Sequence, residues 1–284
     1  MVRWRWHEHV TIRLEPAFVR RLLAAGLPLA LAFTITTVYA QLDIVLLQLF
    51  KNFQVVGWYS AANKYIDAVA WIPQSAMGAV FPALSLLAAG DRGRLVFAYE
   101  KSYKMLAILG LPLAVGIGVT ADSIVHFTRG FEQSIPALRI LAPSVVLIFV
   151  NNAFIYALTA INRQIDFTRL ALFSLAVNVA LNVALIPPFG YLGAAAASTI
   201  TEVALFAGGW WLLRRHVIAL SIFGSVVRVL ASAAAMGIVV YLIRGWPLVL
   251  VIIAGAGVYL AALVLTRSLN REEWSIVRSG FTAR

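Results

Sequence analysis

Two carboxylic acids lie inside long apolar stretches of the sequence, where an ionisable side chain is costly to bury. Asp43 lies late in the first such stretch and shares one helical face with Thr36 and Tyr39. Glu202 lies near the middle of a later stretch, one helical turn after Ser198. A charged side chain at the centre of a membrane helix costs roughly 2.5–3.5 kcal/mol on insertion scales, so such residues mark ion or substrate pathways. Both acids are therefore candidates for such a pathway, and a structural bond between helices is the alternative.

Two further charges open the second apolar stretch. Lys64 and Asp67 are three residues apart, a spacing at which side chains on one helix can pair. Asp43 and Lys64 are also expected at similar depths in neighbouring helices, which predicts an ion pair between them. We expect both to face the inner cavity of the protein rather than lipid, because hydrocarbon does not tolerate an unpaired charge. A structural pair and a role in substrate or ion handling remain equal alternatives.

Asparagines form a third polar pattern. Asn178 and Asn182 repeat at helical spacing after Ser174, and Asn151 and Asn152 lie in the middle of another apolar stretch. Amide hydrogen bonds between membrane helices are common and contribute under about 1–2 kcal/mol each. Interhelical bonding is thus favoured for any one asparagine, and contact with a substrate or ion is the second interpretation.

Prolines interrupt the apolar stretches and indicate places where helices can bend. Pro73 and Pro82 fall in one stretch with Gly78 between them. Membrane helices tolerate such breaks where a neighbouring helix or a cavity satisfies the freed carbonyl groups, and transporters place them at hinges and substrate sites. We therefore predict a hinge at Pro73, Gly78 and Pro82.

Covalent chemistry has no sequence pattern to support it. The chain has no cysteine, which excludes thiolate metal sites and thiol nucleophiles. It has no phosphate-binding glycine loop, no HExxH motif and no GxSxG motif. His7 and His9 lack a third metal ligand in reach. We expect no enzyme activity, no bound metal and no cofactor.

The composition identifies the elements that must position these polar residues. Of the 284 residues, 62% are hydrophobic and only 12% are charged, with a mean hydropathy of +0.88. This excludes an ordinary soluble domain and a disordered chain. Because backbone groups cannot stay unpaired in lipid, stretches of this length must be helices. The sequence predicts an all-α integral membrane protein with eight transmembrane helices, at Leu22–Phe50, Ile66–Ala89, Met105–Ala121, Ile140–Asn162, Leu170–Pro187, Tyr191–Leu213, Val229–Ile243 and Pro247–Thr266.

The distribution of positive charge predicts the orientation. When loops are assigned alternately to the two sides, 18 of the 23 Lys and Arg residues fall on the side of both termini. Cytoplasmic loops carry the excess of such residues. We therefore expect a multi-pass membrane protein with both termini in the cytoplasm. The net charge of +11 is scattered between apolar stretches, which argues against nucleic acid as a partner.

Two segments resemble a known family. The segment VGWYSAANKY, beginning at Val56, is similar to one that follows the seventh helix of polysaccharide flippases. The segment NVALNVALIPPFGYLGAAAASTITE, from Asn178 to Glu202, is similar to a signature spanning two helices of that family. The chain therefore resembles Wzx-type oligosaccharide flippases of the multidrug/oligosaccharidyl-lipid/polysaccharide exporter superfamily.

The resemblance implies an arrangement of segments. Residues 22–216 correspond to the second six-helix lobe of the family fold, and residues 217–266 to two additional helices. Residues 1–21 fall where a basic cytoplasmic connector joins the lobes, and residues 267–284 form a cytoplasmic tail. The chain is expected to be the C-terminal half of a flippase.

The resemblance also implies a function. Such a carrier lies in the bacterial cytoplasmic membrane and moves an undecaprenyl-diphosphate-linked oligosaccharide across it for surface polysaccharide synthesis. Its partners would be that substrate, membrane lipids, and a separate N-terminal lobe or polysaccharide assembly proteins. Alternatives are a lipid II or multidrug exporter of the same superfamily, or a polytopic glycosyltransferase or polymerase. The last class usually needs a large loop with clustered charges, which is absent from this sequence.

Overall fold

The computed structural model describes residues 15–217, 223–266 and 268, and these ranges are helical apart from short turns. The helices are α1 (Pro16–Phe50), α2 (Phe53–Gly90), α3 (Arg92–Val119), α4 (Ala121–Phe127), α5 (Ser134–Ala160), α6 (Gln164–Phe189), α7 (Tyr191–Val217), α8 (Phe223–Leu242) and α9 (Leu248–Leu265). Most of the predicted connector 1–21 and tail 267–284 lies outside the described residues.

The helices have the lengths and composition that a membrane requires. Seven helices of the described ranges are long and apolar enough to cross it, and the apolar part of α8, Val226–Leu242, is shorter. The predicted all-α membrane fold is confirmed, and each of the eight predicted spans overlaps one of these helices. The structure adds α4, a helix of seven residues that the sequence did not predict.

Polar residues at the turns begin two of the long helices. The side chain of Asn52 accepts a hydrogen bond from the backbone N–H of Val55 at 3.1 Å, and the side chain of Asp91 accepts one from Arg94 at 3.0 Å. Each bond satisfies a backbone donor that has no partner within the first helical turn. These caps separate α1 from α2 and α2 from α3 by only one or two residues.

Helix α5 forms the centre of the bundle. It packs against α2, α3 and α7, and its side chains Phe149 and Phe154 are fully or almost fully buried. Helix α6 packs between α1 and α7, while α8 and α9 form a pair against α3. Many large apolar side chains elsewhere face outward, which fits a surface whose solvent is lipid.

A one-residue turn brings α6 and α7 together. Gly190 has a φ of +58° and a ψ of −135°, a combination that is open to glycine and strained for other residues. The Lys51 Nζ donates to the carbonyl of Pro187 at 3.0 Å and so fixes the end of α1 to this turn. Gly193 then lets α7 approach α6 so closely that a Cβ there would lie 2.2 Å from the Leu185 carbonyl oxygen. This hairpin places the polar stripes of α6 and α7 side by side.

Candidate functional site

The candidate site is a buried polar cluster where α1, α2, α5, α6 and α7 meet. Helix α1 turns Tyr39, Asp43 and Leu47 toward its neighbours, because residues four apart lie on one face. Asp43 retains only 4% of its accessible surface. Helices α6 and α7 contribute Asn178 and Ser198, which stand opposite it.

Both carboxylate oxygens of Asp43 accept hydrogen bonds. Oδ1 accepts from the amide nitrogens of Asn178 at 3.0 Å and Asn182 at 2.6 Å. Oδ2 accepts from the Tyr59 hydroxyl at 2.8 Å and from the Ser198 hydroxyl. The two hydroxyl oxygens also lie 3.0 Å from each other. Through these bonds, residues of α2, α6 and α7 all contact the single carboxylate of α1.

Glu202 forms a second centre in the same cluster. Its Oε1 accepts from the Tyr39 hydroxyl at 2.7 Å, and its Oε2 accepts from the amide of Asn151 at 2.8 Å. The same Asn151 nitrogen lies 3.2 Å from the Glu202 backbone carbonyl. Glu202 therefore links α7 to both α1 and α5, while Asp43 on α1 also contacts α7.

Several oxygens of the cluster have no donor. The amide oxygens of Asn151, Asn178 and Asn182 and the hydroxyl of Ser174 are buried and have no hydrogen-bond partner among the described residues. Such unsatisfied buried acceptors are rare in native proteins. Since an amide side chain can turn to exchange its oxygen and nitrogen, Asn178 and Asn182 can either donate to Asp43, as they do here, or present oxygens to a cation beside it. The cluster is thus rich in oxygen ligands.

The two carboxyl groups of the cluster have no basic partner among the described residues. In the described ranges neither Asp43 nor Glu202 forms an ion pair with a lysine, arginine or histidine. Two carboxylates in a low-dielectric interior need a proton or a cation to neutralise them. Carboxylate, amide and hydroxyl oxygens are hard ligands that suit an alkali or alkaline-earth cation. The arrangement can therefore hold protons or a small cation.

Five of the residues selected from the sequence meet in this cluster, and three others do not. The five are Asp43, Asn151, Asn178, Asn182 and Glu202. Asn152 instead donates to the Ile148 carbonyl of its own helix at 2.9 Å. Lys64 and Asp67 are exposed, and Asp67 accepts from the Asn63 amide at 3.1 Å.

The predicted ion pair between Asp43 and Lys64 is wrong. Asp43 points into the bundle toward α6 and α7, and both of its oxygens are occupied by amides and hydroxyls. Lys64 lies on the exposed face of α2 and forms no ion pair within the described residues. Tyr59 is the residue of α2 that lies level with Asp43, since its hydroxyl contacts that carboxylate. Lys64 lies five residues, or about 7.5 Å of helix, farther along α2 and is exposed.

Two members of the cluster were not recognised as partners of Asp43. Tyr59 lies in the VGWYSAA segment and is 1% exposed, and the position of Ser198 one turn before Glu202 indicates Glu202 rather than Asp43 as its neighbour. A tyrosine in an apolar helix is usual at a membrane interface, so its type gave no signal of a site. Helical spacing indicated the face of Ser198 but not which acid it meets.

The exposed side of α2 carries a separate polar stripe. Lys64, Asp67, Gln74 and Gly78 are exposed and follow one another at intervals of three, seven and four residues, which places them on one side of the helix. The proposed hinge positions lie in this helix, with Pro73 buried and Pro82 exposed. Helix α2 remains continuous through both prolines, so the hinge stays a prediction.

Metal-binding and catalytic arrangements of the usual kind are not found in residues 15–217, 223–266 and 268. No group of three or more His, Asp and Glu side chains converges there. The buried cluster has two acids but no histidine. The contacts that the structure describes within it are hydrogen bonds.

Sequence comparison finds relatives among glycan-handling membrane proteins. A family model described as "Polysaccharide biosynthesis protein" matches residues 1–136. The chain is 26% identical over 246 residues to the probable flippase AglR of Haloferax volcanii, covering 82% of this chain and 52% of AglR. It is 27% identical over 166 residues to the probable low-salt glycan biosynthesis flippase Agl15 of the same organism, covering 57% of this chain and 35% of Agl15. The chain thus spans about half the length of these relatives or less.

A solved structure shares the fold. The inward closed conformation of the lipid II flippase MurJ superimposes with a TM-score of 0.74 and 16% sequence identity. The similarity covers 90% of this chain and 57% of that one. At this identity the comparison establishes the arrangement of the helices.

Proposed function

We propose that this chain, a relative of the Wzx-type polysaccharide flippases, is one lobe of a carrier that moves a lipid-linked oligosaccharide across the cytoplasmic membrane. The main support is the combination of that relationship with a buried, acidic, oxygen-rich cluster inside the lobe. The carrier would form no covalent bond, since the substrate only changes sides. An exporter of lipid II or drugs is the alternative within the superfamily.

The cluster gives the proposed carrier a means of coupling to an ion gradient. A cation bound at Asp43 would neutralise the carboxylate and draw amide and hydroxyl oxygens from α2, α6 and α7 around it. Without the cation, the negative charge would favour a different packing of α1 against its neighbours. Ion binding would in this way select between two arrangements of the lobe, as coupled transport requires.

Glu202 would give the lobe a separate response to a proton. Both of its oxygens accept hydrogen bonds, from Tyr39 and from Asn151. A proton on Oε2 would face the Asn151 nitrogen, which only donates, and would replace that hydrogen bond, whereas the Tyr39 hydroxyl can accept from a proton on Oε1. Protonation of Oε2 would therefore weaken the contact between α7 and α5.

The exposed stripe of α2 would face the transport path. Lys64 offers a cation to the diphosphate, while Asp67 and Gln74 offer acceptors to sugar hydroxyl groups. A second six-helix lobe, joined to this chain or separate from it, would close the opposite side of the path. MurJ is long enough to contain such a lobe, since this chain covers 57% of it.

A complementation experiment tests the proposed function. In a flippase-deficient strain, the chain expressed together with the first lobe of a related flippase should restore surface glycan. The chain alone should not restore it, because one wall of the path would be missing. The measurement is surface glycan by immunoblot together with the amount of lipid-linked precursor inside the cell. Continued accumulation of precursor, with both lobes present in the membrane, would contradict the proposal.

Reporter fusions test the proposed orientation. The positive-inside rule predicts an outside location for fusions at Lys51, Arg129 and Arg244. Fusions at Arg92 and Arg163 should report the cytoplasm. Alkaline phosphatase and green fluorescent protein give opposite signals at the two sides. Reversal of any neighbouring pair of fusions would overturn the orientation.

A further inference from the structure

A basic cavity lies at the end of the bundle where α6 begins and α7 ends. Its volume is about 750 Å³, and it is lined by Arg163, Asp166, Arg169, Phe173, Trp211 and Arg215. The positive-inside rule assigns this end to the cytoplasm. The cavity is separate from the buried cluster, although α6 and α7 contribute to both.

Asp166 organises the cationic side of the cavity. Its carboxylate lies 3.4 Å from the Arg169 guanidinium, 3.9 Å from that of Arg163 and 3.2 Å from the His216 ring. The Asp166 side chain is only 15% exposed, whereas those of Arg163 and Arg169 are 53% and 75% exposed. Three arginines thus share the cavity with one carboxylate, which leaves positive charge facing its opening.

Aromatic rings support the remaining arginine. The Arg215 guanidinium lies over the Trp211 ring, 5.5 Å from its centroid, and Arg214 lies over Trp210 at 5.8 Å. The four-residue spacing places each pair on one side of α7. A guanidinium stacked by its face keeps its edge N–H groups available for a planar, bidentate acceptor such as phosphate.

The rest of the cavity suits the chain of a lipid. Phe173, Leu170 and Leu212 form its apolar wall, and the Trp211 side chain is 59% exposed. Tryptophan is enriched where the acyl region meets the headgroups. The N-terminal residue of α6 is capped by no side chain, so its first backbone N–H groups also favour an anion at this end.

We propose that this cavity binds the phosphate headgroup of an anionic phospholipid from the cytoplasmic leaflet. Basic recesses between membrane helices on that side are suited to such headgroups. A single phosphate matches the available charge better than a diphosphate, because Arg163 and Arg169 already share Asp166. A bound lipid would hold the start of α6 against the end of α7 and thereby brace the two helices that carry Asn178 and Ser198.

Lipid binding by the purified protein tests this site. Fluorescent phosphatidylglycerol is titrated in detergent, with phosphatidylcholine as the zwitterionic comparison. The double variant Arg169→Ala/Arg215→Ala should bind phosphatidylglycerol more than about tenfold more weakly, given about fivefold for each cation near the surface. The double variant Arg169→Lys/Arg215→Lys should retain part of the affinity for phosphatidylglycerol, because the charge remains but the bidentate geometry is lost.

Two single variants serve as matched controls. Arg244 lies over the Tyr241 ring at 4.3 Å and is outside the cavity, so Arg244→Ala removes an equally stacked charge. Arg94→Ala removes an 80% exposed charge from the same end of the bundle as the cavity. Both should leave phosphatidylglycerol affinity within about twofold of the parent protein, since the surface field falls off over a Debye length.

Four results would overturn the proposal. The first two are equal binding of both phospholipids and unchanged binding by Arg169→Ala/Arg215→Ala. The other two are competition by free inorganic phosphate as strong as that by phosphatidylglycerol, and stronger competition by a polyprenyl diphosphate than by phosphatidylglycerol. If Arg169→Ala/Arg215→Ala does not fold, Trp211→Leu tests the site while all of its charged residues are still present. It should weaken phosphatidylglycerol binding by removing the support of Arg215, and unchanged binding would count against the site.

Discussion

Replacing Asp43 with asparagine is expected to abolish the response of the protein to a coupling cation while leaving the bundle folded. Asparagine has nearly the same volume as aspartate, but it lacks the charge that would attract the cation. The loss of cation-binding free energy should reach about 3 kcal/mol or more, which corresponds to cation binding at least about 100-fold weaker. The measurement is the midpoint of thermal unfolding in detergent as sodium, lithium or potassium is increased. The parent protein should be stabilised by one of these ions and Asp43→Asn by none.

Asp67→Asn is the matched control for this prediction. Asp67 lies in α2 and has the same side chain, but it is exposed and contacts only the Asn63 amide among the described residues. Its replacement should leave the cation-dependent shift in place. If both variants lost the shift, the effect would belong to net charge rather than to the buried cluster. If Asp43→Asn kept it, Asp43 would not be a cation ligand.

The pH dependence of the same shift has a definite sign. A proton and a metal cation compete for one carboxylate, so cation stabilisation should weaken as the pH is lowered. Glu202→Gln should remove proton coupling without removing the Asp43 ligands, because Gln retains an oxygen that accepts from Tyr39. Distinct effects of the two variants would separate the two centres of the cluster.

The sequence allowed us to predict which polar residues form the site, but not which of them hydrogen-bond to each other. Asp43, Asn178 and Glu202 each attracted attention because burying them in lipid is costly without a partner. The pairings depend on how far each helix is rotated about its axis. Successive residues of an α-helix are about 100° apart around that axis, so a shift of one residue turns a side chain toward a different helix. Lys64 illustrates this, since the structure places Tyr59 rather than Lys64 beside Asp43 and leaves Lys64 exposed.

The fold was predictable for a similar reason. Long apolar stretches can only be helices in a membrane, so the spans followed from composition alone. Helix α4 was not predicted, because its seven residues are too short to cross a membrane and too few for a periodic pattern. Tyr59 was missed because its hydroxyl becomes informative only when α2 is packed against α1 and α7.

Substitution of Gly193 by alanine should produce the largest loss of stability in the lobe. An added Cβ would lie 2.2 Å from the Leu185 carbonyl oxygen and 2.6 Å from its carbonyl carbon. These are backbone atoms, so a side-chain rotation cannot relieve the overlap, and α7 must move away from α6. We expect a cost of about 3 kcal/mol or more, in the range of severe overpacking. The measurement is thermal unfolding of the purified protein in detergent.

Gly57→Ala provides the comparison, because a Cβ at Gly57 would meet no atom within 4 Å. It lies near the start of α2, as Gly193 lies near the start of α7. Alanine there should be neutral or stabilising by up to about 1 kcal/mol, since glycine is the weaker helix former. Gly193→Ala should also reduce the cation response, because displacement of α7 would move Ser198 away from Asp43 and Asn182. Equal stability of the two variants would mean that α6 and α7 are farther apart than this structure places them. A destabilised Gly193→Ala protein with an undiminished cation response would show that the Asp43 centre does not depend on the close hairpin.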